Sequence, residues 1–98
     1  MADHPGVIFK DGPTARRAAL ASGPDVWEVV KFLREIDERG PAALDAAADA
    51  LGLDQGRVSA AVSYYADFPE EIDGEIAEAD EASERAERTW RLQRRLIS

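Results

Sequence analysis

Apolar positions along this chain switch period as it runs. Val7, Ile8 and Phe9 are consecutive strand formers ahead of Lys10, and Asp11-Gly12-Pro13 behind them is a turn signal. Thr14 to Leu20, with Arg16 and Arg17 in it, reads as a return strand, so residues 7–20 predict a short β-hairpin. Ser22-Gly23-Pro24-Asp25 breaks the chain and offers Asp25 as a helix N-cap. The period then becomes helical. Val26, Val29, Val30, Leu33 and Ile36 share one face and Lys31, Arg34, Glu35 and Glu38 the other, which predicts a helix over 26–38. Trp27 lies off the centre of that stripe and is expected against the hairpin.

Gly40-Pro41 ends the first helix and starts a second, over 42–51, with Leu44, Ala47, Ala48 and Leu51 inward. Asp54 caps a third, whose inward face is Val58, Ala61, Val62 and Tyr65 and which Pro69 ends. From Glu70 to Ile97 only Gly74 interrupts the helix formers, and at ~1.5 Å per residue that segment reaches about 40 Å. Ile72, Ile76, Ala79, Ser83, Ala86, Trp90, Gln93 and Ile97 alternate along it in a narrow stripe. A lone helix with such a stripe is marginal in water, so the segment is expected to be partly disordered when free and to order against a partner. The expected fold class is mainly α: a short N-terminal β-hairpin, a three-helix body containing a helix-turn-helix, and a long C-terminal helical arm.

Composition bears on function more than on fold. The 98 residues contain no Cys and one His. Disulfides, a thiol nucleophile and Cys-type zinc are excluded. His4 lies near the N-terminus, where order is usually poorest, so a His base or a pair of His ligands is not expected. No set of acid, base, nucleophile and phosphate loop is visible, and the expectation is a non-enzyme with no cofactor and no metal. Apolar runs fall far short of the ~20 residues of a membrane span. Met1 to Gly6 shows no signal pattern, so a cytoplasmic location is expected.

Charge changes the picture again. The formal net charge is −8, from 12 Lys+Arg against 20 Asp+Glu. Residues 70–84 hold 8 acids and no bases, whereas 85–98 hold 5 Arg and 1 Glu. A block of one sign followed by the other marks an interaction segment.

Residues 44–65 carry the strongest local pattern, that of a helix-turn-helix. Ala48 is small where two helices would cross, Gly52 supplies the positive φ of a tight turn, and Leu51 and Leu53 bracket it. A helical hairpin that never meets DNA satisfies the same pattern. As a DNA reader, the third helix would present Gln55, Arg57, Ser59 and Ser63 to the major groove, where Gln pairs with adenine and Arg with guanine. Arg16 and Arg17 would add phosphate contacts, or stand as solvated surface arginines. The acidic total opposes the phosphate term, so tight binding to operator DNA is expected only for a symmetric homodimer or a complex with a basic partner. Tyr64-Tyr65 is better read as core packing than as a base-stacking pair, with one ring buried and the other at its edge.

The acidic run does not have the spacing of a calcium loop and reads as a solvated face or a surface for a basic partner. The basic end is more telling. Arg85, Arg88, Arg91 and Arg95 recur at helical spacing, and Trp90 is costly to leave in water. Ile72, Ile76, Arg88, Trp90, Arg91, Arg94, Arg95 and Leu96 are the candidate contacts of this arm. Its partner would be a second copy of the chain or the groove of another protein.

At these residues the chain resembles the small bacterial antitoxins of type II toxin–antitoxin pairs, and more narrowly those paired with PIN-like nuclease toxins. The likeness rests on Gly-Pro-Thr-Ala-Arg-Arg-Ala-Ala-Leu (12–20) and Gly-Pro-Asp-Val-Trp-Glu-Val-Val (23–30). It continues through Ala-Ala-Asp-Ala-Leu-Gly-Leu (47–53) and Val-Ser-Ala-Ala-Val-Ser-Tyr-Tyr-Ala-Asp-Phe-Pro-Glu-Glu-Ile-Asp (58–73). It covers about residues 7–80, and the tail shares no fixed motif. The resemblance implies a DNA-binding and dimerising unit over 1–69 that represses its own operon, and a toxin-binding arm over 70–98. It also implies that an arginine among Arg91, Arg94 and Arg95 enters a carboxylate-lined metal site of the nuclease.

Overall fold

The strand formers and turn signal within residues 7–20 produce the expected hairpin. In a computed structural model of the chain, which describes residues 4–11, 16–21 and 23–97, strand β1 (Val7–Asp11) pairs antiparallel with β2 (Arg16–Leu20). Val7 stands opposite Leu20 and Lys10 opposite Arg17. The Gly12-Pro13 tip falls outside the described residues. Val7, Ala18, Ala19 and Leu20 are buried while Ile8 faces out, so β2 is covered on both faces over its second half. Ala19 also bridges to Asp25, which ties the hairpin to the start of the first helix.

Four helices follow: α1 (Val26–Glu35), α2 (Pro41–Leu51), α3 (Gln55–Asp67) and α4 (Pro69–Ile97). Asp25 caps α1 as expected, and its N–H donates to the Glu28 carboxylate at 3.0 Å. The helix stops three residues short of the expected end, with Ile36 already extended at φ −92° and ψ 158°. Arg39 explains the early stop. Its guanidinium donates to the carbonyls of Ile36, Asp37 and Glu38 at 3.0, 3.3 and 2.9 Å, satisfying groups that a longer helix would have bonded itself. Pro41 opens α2 and Gly52 closes it in the left-handed region at φ 67°. Asp54 then caps α3 by accepting from the Arg57 N–H at 2.8 Å.

One core joins all these elements: Val7, Ala18, Leu20, Val26, Val29, Val30, Ala47, Val58, Ala61, Tyr64, Ile72 and Ile76. Two expectations need correction here. The buried tyrosine of α3 is Tyr64, with Tyr65 at the edge, and Val62 is left 38% exposed. α3 is rotated because it packs on more than α1. Tyr64 also meets Phe9 of the hairpin, edge-on with ring centroids 6.3 Å apart, and donates to Glu71 of α4 at 2.5 Å. Trp27, expected on the hairpin, instead shares a groove with Phe32 and Leu51 between α1 and α2.

The third correction concerns the arm. Ile72 and Ile76 were expected on a partner surface, but they are 0% and 6% exposed in this chain's own core. Gly74 does not interrupt α4, and its position is open to solvent. Lys31 bonds Asp80 and Arg34 bonds Asp73, pinning the first three turns of α4 along α1. Beyond Asp80 every described residue to Ile97 is exposed. Among the described residues no helix is long and apolar enough to cross a membrane.

Candidate functional site

Two surfaces carry the candidate residues. The first is the outer face of α3, which starts at a turn set by Gly52 and the Asp54 cap. Gln55 and Ser59 are exposed at its beginning, and Ser63 two turns on. Gln55 donates to Asp45 of α2, so its amide is already held by the chain. Arg57 is half-buried, its backbone N–H engaged by Asp54. Ser59 and Ser63 line a groove of about 290 Å³ together with His4, Pro5, Gly56 and Ala60. His4 and Pro5 therefore lie beside the outer face of α3. Arg17 stands on β2, 3.9 Å from an Asp25 carboxylate that Lys10 also approaches at 3.4 Å. Only the backbone of Arg16 is described, so the expected phosphate contact of its side chain lies outside the described residues.

His4 contradicts the expectation of a loosely ordered terminus. Its side chain is 3% exposed, with Nε2 2.9 Å from the Asp67 carboxylate. Its ring lies edge-on to Tyr64 and Phe68, with centroid distances of 5.1 and 5.8 Å. Tyr64, in the last turn of α3, and Phe68, just past its end, bring their ring centroids to 4.8 Å and leave a place where a third ring sits.

Glu75 was also missed. It follows Ile72 by three residues and precedes Ile76, so it enters the same seam, and its Oε1 is buried without a hydrogen-bond partner. Burial first, then the nearby Glu71 charge, push its carboxyl up to about 7, against the pull of Arg17. At the opposite edge, the Tyr65 hydroxyl and then Arg34 hold Asp73 below the usual carboxylate range. Desolvation and the Glu71 carboxylate raise the Tyr64 phenol, so it stays a donor at neutral pH.

The second surface is the arm beyond Asp80. Ala82, Arg85, Ala86, Thr89, Trp90 and Gln93 share one face of it. Trp90 is 54% exposed, Leu92 52%, Leu96 88% and Ile97 85%, all without cover from the body. The Arg94 guanidinium lies 4.8 Å from the Trp90 ring centroid, in cation–π range. Arg91 pairs with Glu87 at 2.9 Å and Arg85 with Glu81 at 3.5 Å, both one helical turn apart and both exposed. Such pairs hold weakly and exchange readily for a better partner. Arg88 and Arg95 extend into solvent on the same segment. Of the expected arm contacts, the fold thus brings Arg88, Trp90, Arg91, Arg94, Arg95 and Leu96 together on one projecting rod, and withdraws Ile72 and Ile76 from it.

Among the described residues no group of three or more His, Asp or Glu is placed to hold a metal ion. One surface offers a capped helix with small polar residues, the other an apolar and cationic helix end. No protein-family model, curated protein or solved structure matches the chain.

Proposed function

We propose that the chain is an inhibitory binding protein of the antitoxin kind, whose arm neutralises a PIN-like ribonuclease and whose body represses its own operon as a dimer. The observation that carries this reading is the division of α4. Its first half is built into the core through Ile72 and Ile76, and its second half leaves the body with Trp90, Leu92, Leu96 and Ile97 bare. Exposed tryptophan beside arginine is the composition of an interface anchor. Guanidinium groups on such a rod suit a pocket lined by carboxylates, where they displace a divalent ion by charge and by bidentate hydrogen bonds.

The body supports the second half of the proposal. In this reading α2, the Gly52 turn and α3 act as a helix-turn-helix, with α3 entering the major groove. Its polar set is thin, since Gln55 is already bonded to Asp45. The body is acidic as well, so phosphate attraction for a lone chain is poor. Two copies, or a complex that masks the acidic run, bind DNA better. The competing reading is a plain dimeric regulator whose arm serves self-association alone.

A pull-down from native lysate separates the two. Tagged full-length protein and its Trp90→Ala/Arg91→Glu variant are compared, with captured proteins identified by mass. A stoichiometric nuclease retained by the parent chain and lost by the variant supports the antitoxin reading. Recovery of copies of this chain alone replaces it with the regulator.

A further inference from the structure

Helix α1 turns Val26, Val29, Val30 and Leu33 to the core, which leaves its opposite face outside. Trp27, Glu28, Lys31, Phe32 and Glu35 recur along that outer face and, with Leu51 of α2, line a groove of about 430 Å³. Around the helix, Trp27 and Phe32 come at the two borders of this strip and the charged residues fall between them. Trp27, Phe32 and Leu51 are half-buried, whereas Glu28 and Glu35 are exposed.

The charge of the lining is negative. Lys31 supplies its cation, but that ammonium is hydrogen-bonded to Asp80 from outside the groove and lies 3.9 Å from Glu35. Glu28 is held in place, since one of its carboxylate oxygens accepts from the Asp25 N–H at 3.0 Å. Its other oxygen is left for a ligand. The whole chain, at −8, also favours the approach of a cation.

Aromatic borders with carboxylates between them suit one side chain in particular. Arginine has an apolar stem, a flat cation that stacks on aromatic rings, and a fork of donors that matches a carboxylate. Lysine has the stem and the charge without the flat face or the fork. We infer that the outer face of α1 is a docking slot for an arginine side chain of a partner protein, its stem against Trp27, Phe32 and Leu51 and its guanidinium on Glu28 and Glu35. A protein is the fitting source because the carboxylates stand in the open. A small ligand needs walls over most of its surface, and an arginine fixed in a protein is held by the rest of its own chain. The slot shares no residue with the arm beyond Asp80, so what the arm binds does not bear on it.

Nuclear magnetic resonance of the full-length chain tests this, because its two tryptophans give separate indole N–H signals for the slot and the arm. The blocked peptide acetyl-Leu-Arg-Leu-amide is titrated to millimolar concentration, beside counterparts with Lys or Glu at the centre. The arginine peptide should move the Trp27 indole and the Phe32 and Leu51 amides saturably and leave the Trp90 indole still. The lysine peptide should bind about threefold or more weaker, and the glutamate peptide should move nothing. Glu28→Gln with Glu35→Gln should weaken the arginine peptide about threefold or more, and Gln at position 28 keeps the cap of α1. A Trp27 signal that stays still under the arginine peptide overturns the inference. So does equal binding of either counterpart, or a double variant that binds like the parent chain. Movement of the Trp27 indole with protein concentration alone gives the slot to a second copy and overturns it as well.

Discussion

Glu75 shows how one residue couples the core to pH. Its carboxyl titrates near 7 in the folded chain, because burial and Glu71 oppose its charge, against an ordinary value of 4.5. The native state therefore holds a proton that the unfolded chain releases. Stability from this group is complete below about pH 4.5 and is lost as pH rises through 7. Glu75→Gln, which keeps the shape without the charge, should stabilise the chain by about 1–2 kcal/mol at pH 8, solvent screening included, and do little at pH 5. Urea denaturation at the two pH values measures this. His4 makes the complementary case. His4→Ala should cost about 1–2 kcal/mol at neutral pH, since it empties the space beside Tyr64 and Phe68. An unchanged denaturation midpoint would mean that the terminus does not dock.

At the scale of elements, α4 behaves as two objects. Its first half contributes Ile72 and Ile76 to the core; its second half contributes nothing to it. Ending the chain after Pro69 should therefore abolish cooperative unfolding, whereas ending it after Ala82 should leave the thermal midpoint nearly unchanged. Hydrogen exchange gives the same division without cutting. Amides from about Glu84 onward should exchange orders of magnitude faster than those of α1 and α3 in the isolated chain, because an uncovered helix of this length frays. Equally slow exchange in both halves would show that something already covers the arm.

For the whole molecule, the charge map decides what can be bound and when. The body and the acidic run repel phosphate, and five arginines at one end do not offset them. DNA affinity of the isolated chain should be weak, and both affinity and its dependence on salt should rise when a basic partner occupies the arm. Mobility shift on the chain's own promoter DNA, with and without that partner, reads this directly. Affinity that a partner leaves unchanged would separate repression from inhibition.

The hairpin, the Asp25 and Asp54 caps, the Gly52 turn and the reversal of charge along α4 were legible in the sequence by itself, because each depends on neighbours a few residues apart. Which tyrosine of α3 is buried, where α1 stops and how much of α4 is free were decided by tertiary structure. Tyr64 is chosen by Phe9, His4 and Glu71, contacts that no single helical period encodes. Arg39 ends α1 by reaching back to three carbonyls. Ile72 and Ile76 belong to the body because the core formed by α1, α3 and the hairpin takes them out of water, and Lys31 and Arg34, reaching Asp80 and Asp73 across more than thirty residues of sequence, set how α4 lies along α1. A periodic stripe says that a face must be covered, and only the packed chain says by what.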